Sequence, residues 1–148
     1  MSFALGDIVT ITGLAIKVHS AYKDAPDGYR HISEEVATLR SLIDKVARHF
    51  KSTNINSDDL YYGQKILKGC QGVLEDLSRL IEKHRKLASI SKKLVITRVR
   101  LGQEDIATLQ AKLISNTILL HGFVRRSVIP AILLHYYYDY DIDSSIEF

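Results

Sequence analysis

The side chains in this sequence able to do chemistry are six histidines, one cysteine and a scatter of acids. A zinc site needs His, Cys or carboxylate ligands gathered on one face, often two histidines four residues apart on a helix. His19, His31, His49, His84, His121 and His135 contain no such pair. Acid–base work needs two carboxylates that converge. Glu34-Glu35 and Glu104-Asp105 are each adjacent, so on a helix they point about 100° apart. Cys70 falls in the apolar stripe of its helix and reads as a small core residue, not a nucleophile. A single cysteine forms no disulfide within the chain, which suits a reducing compartment. There is no glycine-rich phosphate loop, no dinucleotide fingerprint and no HExxH. The residues predict no enzyme, no metal and no cofactor.

Charge is more informative. The chain has 148 residues and a net charge of +3. No Lys or Arg follows Arg126, whereas Asp139, Asp141, Asp143 and Glu147 do. All 20 basic residues and 13 of the 17 acids therefore lie in residues 1–126, a surplus of seven positive charges. A body of that sign suits an anionic membrane, an acidic protein or nucleic acid. One basic cluster is Lys83, Arg85, Lys86, Lys92 and Lys93, extended by Arg98 and Arg100. A second is Arg48, Lys51, Arg125 and Arg126. No aromatic residue lies between Lys83 and Arg100 to stack on bases, which ranks nucleic acid below lipid or protein.

The elements that position these residues are helices. Val99, Gly102, Ile106, Leu109, Leu113, Asn116, Leu120 and Phe123 recur at alternating spacings of three and four, which places them on one helical face. Asn116 is the polar member of that stripe, and a single core asparagine can set the register between helices. The same spacing marks Ile8, Ile11, Leu14 or Ala15, Val18 and Tyr22 in a first helix. It marks Tyr29, Ile32, Val36, Leu39, Ile43, Val46 and Phe50 in a second, and Leu60, Gly63, Leu67, Cys70, Leu74, Leu77 and Ile81 in a third. Leu39, Ile43, Leu74, Leu77, Leu109 and Leu113 are expected to be buried together. Pro26 separates the first two helices, and Ser57 is placed to cap the third.

Short polar connections between four such helices predict an all-α, up-down four-helix bundle over residues 1–126. Ser127–Pro130 interrupts the last stripe, so residues 127–148 read as a partly disordered C-terminal extension with a short helix over Ala131–His135. Met1 leads into Ser-Phe-Ala-Leu-Gly-Asp with no basic lead, unlike a secretory signal. The apolar runs Ile8–Val18 and Val128–Leu134 are too short to cross a bilayer, which takes about 20 residues.

The order of these features resembles the HeLo-like N-terminal domains of fungal NLR-like (STAND) proteins. The matching residues are the apolar lead into Gly6-Asp7, then Asp24-Ala25-Pro26 ahead of Tyr29, Ile32, Val36 and Leu39. They continue with Gly69-Cys70, Val73-Leu74-Glu75-Asp76-Leu77, then Arg100, Glu104-Asp105-Ile106, Leu113, Asn116-Thr117 and Leu119-Leu120. The resemblance implies a helical bundle that acts in cell death and heterokaryon incompatibility by inserting its N-terminal segment into membrane. It carries no catalytic residues. The tail from Ser127 has no counterpart in it.

On this reading the chain is a non-enzymatic effector that self-associates and targets anionic membrane. It is expected in the cytoplasm, reaching the plasma membrane periphery on activation. The insertion candidates are Phe3, Leu5, Ile8, Ile11 and Leu14, because the opposite face of helix 1 carries Thr10, Gly13 and Ser20 instead of a charged coat. The alternative is a soluble helical adaptor that docks a helix of a partner protein.

Overall fold

A computed structural model describes residues 5–23, 30–52, 56–88 and 92–146. Nearly all of these are helical. They form α1 (Leu5–Lys23), α2 (Arg30–Ser52), α3 (Ser57–Ala88), α4 (Lys92–Phe123) and α5 (Ile129–Ile146), with a wide turn at Val124–Val128 joining the last two. The first four make the all-α bundle. α1 packs on α2 and α3, and α4 packs on α3 and α2. Chain direction alternates from helix to helix, but α1 and α4 lie diagonally opposite, as do α2 and α3.

The core follows the periodicity. Ile8, Ile11, Ala15, Val18 and Tyr22 of α1 are buried against Ile32, Val36, Leu39, Ile43 and Val46 of α2 and Leu67, Cys70, Leu74 and Leu77 of α3. Leu109, Leu113, Leu120 and Phe123 of α4 complete it. Leu39, Ile43, Leu74, Leu77 and Leu113 have no exposed surface, and Leu109 is buried with them. The Tyr22 hydroxyl donates to the Leu77 carbonyl at 3.2 Å, so this buried phenol is satisfied.

Three details differ from the periodic reading. The α3 cap is Asn56, not Ser57. Its side-chain oxygen accepts from the Asp58 N–H at 3.1 Å and its carbonyl accepts from the Leu60 N–H at 2.9 Å. In α4 the core position belongs to Thr117, not Asn116. Thr117 is buried because its hydroxyl donates to the Leu113 carbonyl at 2.8 Å and leaves its methyl to pack. Asn116 sits half-buried at the α3–α4 seam and donates from Nδ2 to the Lys112 carbonyl at 2.8 Å. Its Oδ1 occupies the space a Cβ would need at Gly69. Asn116 thus meets α3 at a glycine on the edge of the core.

The third difference is the end of α4. Val124–Val128 form a π turn, in which the Ile129 N–H bonds to the Val124 carbonyl five residues back. Such a turn makes room for Pro130, which lacks an N–H and would clash with a regular preceding turn. α4 and α5 are therefore one continuous helix through Ile146, where the sequence predicts a break and a short extension.

At that end Phe50 and Phe123 meet edge to face, ring centroids 6.3 Å apart. Gly63 closes the contact: a Cβ there would lie 2.8 Å from Phe50 and 2.9 Å from Phe123. Gly63→Ala is therefore expected to lower stability by roughly 1–2 kcal/mol, since overpacking costs about 1–3 and helix propensity returns only about 1. Gly72 faces open space, so Gly72→Ala should stabilise by about 0.5–1 kcal/mol. Leu113→Ala should cost roughly 2–5 kcal/mol. Urea unfolding of the three variants checks all of these, and a stabilised Gly63→Ala would contradict the aromatic closure.

Candidate functional site

The buried reactive groups are inert. Cys70 has no exposed surface, and burial pushes its thiol up to about 12. A thiol held neutral is neither nucleophile nor metal ligand. His49 is buried on the last turns of α2. Burial lowers its pKa from the usual 6.5, and the charge of Asp59 offsets part of that. Among the described residues no three His, Cys, Asp or Glu side chains gather as a metal site requires.

The bundle end that gathers surface features is the one where α1 begins, α2 ends and α4 passes into the π turn. Arg48 and Lys51 line a groove between α1 and α2 of about 690 Å³, together with Asp44, Gly6, Val9, Gly13 and Ile16. Arg125 and Arg126 are exposed in the π turn at the same end. Arg126 donates from Nε to the Gly122 carbonyl at 3.2 Å, where the backbone register changes. The residues of the second basic cluster therefore lie at one end of the bundle. Of the first cluster, Lys83 is exposed on α3 beside Asp76, Arg79 and Glu82. Asp76 and Glu82 offset part of the positive charge there. The side chains of Arg85, Lys86, Lys92 and Lys93 lie outside the described residues, as do Phe3 and the side chain of Leu5.

The α1 candidates divide by burial. Ile8 and Ile11 are core, and Leu14 is half-buried. The apolar side chains that α1 shows to solvent are Val9, 68% exposed, and Ile16, 41% exposed. The polar residues between them contribute little polarity. Thr10 donates to the Gly6 carbonyl and Thr12 to the Ile8 carbonyl, each at 2.9 Å, so both hydroxyls are spent on the helix itself. Ile16 escapes a stripe reading because it lies on the side that Gly13, Lys17 and Ser20 mark as polar. Its seven-residue spacing from Val9 is the signal that finds it.

The larger apolar surface is α5. Ile129, Ile132, Leu133, Leu134, Tyr136, Tyr137 and Tyr138 are all exposed. Beyond the π turn that leads into it, α5 packs extensively against no described helix. By length and composition alone, Ile106–Asp139 is also long and apolar enough to cross a membrane. On sequence alone the last stripe ends at Ser127–Pro130 and Val128–Leu134 is a separate short run, which gives no such segment; the π turn joins that run to α4. Its α4 half supplies the core residues Ile106 to Phe123, so it is committed to the bundle.

Comparison with family models, with curated proteins and with solved structures finds no match.

Two solution measurements follow from the buried groups. Cys70 should resist a thiol reagent in the native protein and react on the order of the unfolding rate, becoming fast only in denaturant. Rapid native labelling would place it at the surface. His49 binds protons more weakly folded than unfolded, so its contribution to stability is complete above pH 6.5 and is lost as pH falls below it. His49→Gln should flatten the fall in melting temperature between pH 7.5 and about 5.5. An unchanged slope would put the titration elsewhere.

Proposed function

We propose that this chain is a non-enzymatic effector or signalling domain that self-associates and acts at an anionic membrane, through the bundle end that carries Lys51, Arg125 and Arg126. The observation that carries this reading is the exposed apolar face of α1, Val9 and Ile16, beside Lys51, with Arg125 and Arg126 exposed at the same bundle end. Its threonine hydroxyls are satisfied within the helix, so contact with lipid leaves none of them without a partner. Each cation held near anionic headgroups contributes about 1 kcal/mol. The sequence resemblance to fungal NLR N-terminal domains supports the same role, in cell death or incompatibility, with recruitment from the cytoplasm to the plasma membrane periphery. Deeper insertion would take α1 out of the bundle. Ile8 and Ile11 would then exchange a protein core for lipid, and the remaining helices would have to close the gap.

The α1–α2 groove favours one other reading. Its walls carry Ala47, Val9 and Ile16 with Arg48 and Lys51 at the rim, a shape that suits an amphipathic, acidic helix from a partner protein. In that case the domain is a soluble adaptor.

Vesicles separate the two. The whole chain should co-sediment with phosphatidylserine-containing vesicles and release their dye at low salt, and should ignore neutral ones. Val9→Asp and Ile16→Asp alter exposed positions, so they should keep the parent melting temperature and lose release. Lys51→Glu should weaken binding several-fold at low salt, about what one headgroup contact is worth. A parent protein that neither binds nor permeabilises anionic vesicles, even at high concentration, leaves the adaptor reading in place.

A further inference from the structure

α5 leaves the bundle with an uncovered side whose residue order is suited to one partner. Ile118, Arg125, Ile129, Ile132, Tyr136 and Asp139 are all exposed. They follow one another at spacings of seven, four, three, four and three, so they run along one side of the α4–α5 helix. The helix runs on through the π turn, and Arg125 and Ile129, four residues apart, stay on the same side across the junction. The resulting side is apolar in the middle, basic at the root and acidic at the tip. It is its own complement when turned end for end.

We propose that α5 is a dimerisation element that pairs antiparallel with α5 of a second copy. Ile132 lies near the two-fold axis, Ile129 faces Tyr136, and Arg125 of each copy faces Asp139 of the other. Such an isologous interface uses the same surface on both copies. A parallel pair would set Arg125 against Arg125 and Asp139 against Asp139, and like charges across a helix seam oppose association. The side continues onto α4 at Ile118, which lines a groove with Leu42, Lys45 and His121. The groove lies where the acidic tip of the other α5 would arrive, and Lys45 supplies a matching charge there. Lipid is the weaker occupant of this helix. Ile129–Tyr138 spans only about 15 Å, half of a hydrocarbon core, and the acids that follow are repelled by anionic headgroups.

The pairing rests on the self-association part of the function proposed above, and its test is independent of vesicle leakage. Sedimentation equilibrium of the whole chain at low salt should give a dimer. Arg125→Asp and Asp139→Arg alone should each weaken it on the order of tenfold, because two attractive pairs per dimer become repulsive. The double variant, Arg125→Asp with Asp139→Arg, should restore the parent affinity. Circular dichroism melting confirms that each variant keeps its fold, and Ile132→Asp should dissociate the dimer without lowering the bundle's melting temperature. A parent that is monomeric at all concentrations overturns the pairing. So does a dimer indifferent to the single swaps, as a parallel pair would be, or a monomer whose α5 tyrosines become quenched only on adding vesicles. A dimer that obeys the swaps supports the pairing whether or not vesicles leak.

Discussion

A regular α-helix advances 3.6 residues per turn, and α4 must keep one face on the core for the full depth of the bundle and beyond. Ile106, Leu109, Leu113, Thr117 and Leu120 hold that face at spacings of three and four. Val124 and Val128 continue that face at spacings of four, as Leu109, Leu113 and Thr117 do a few turns earlier, and both valines are buried in the π turn. The turn also accommodates Pro130, so the chain continues as helix where a proline would otherwise end it. That continuity gives α5 its direction and the exposed seam its length.

The same end of the bundle is where packing is least forgiving. The Phe50 and Phe123 rings meet over Gly63, with no space for a further methyl group. That contact links α2, α3 and α4 where α2 and α3, diagonal partners elsewhere, come together. Arg48, Lys51, Arg125 and Arg126, far apart in sequence, lie at this same end of the bundle. The opposite end carries α1 differently, with the buried Tyr22–Leu77 hydrogen bond and an exposed Lys17–Glu82 pair at 3.5 Å. An exposed pair of this kind contributes little, so the attachment of α1 rests on its buried apolar face.

That division has a functional consequence. The described ionisable groups in the core are Tyr22, Cys70 and His49. Burial raises the Cys70 pKa and lowers that of His49, which disfavours the charged form of each. The apolar surfaces that the described residues leave exposed are the α1 face at Val9 and Ile16, beside Lys51, and α5.

The stripes of α1, α2 and α3 were legible in the sequence because apolar residues recur at spacings of three and four, and in α2 and α3 the opposite face is densely charged. Burial of Cys70 followed from the same logic. Helix periodicity also assigned the up-down bundle, since the connections are too short for anything but reversals. Three things were decided only by tertiary structure. Thr117 replaced Asn116 in the core because a threonine can return its hydroxyl to the preceding turn and present a methyl, a choice that hydrophobicity does not encode. Ile16 and Val9 proved to be exposed apolar residues of α1, because much of the helix is apolar and only its neighbours select the face that is buried. The continuity of α4 and α5 was invisible for a further reason. Proline reads as a helix breaker, and whether a widened turn can take it depends on the core contacts of Val124 and Val128 on either side of the strained hydrogen-bond register.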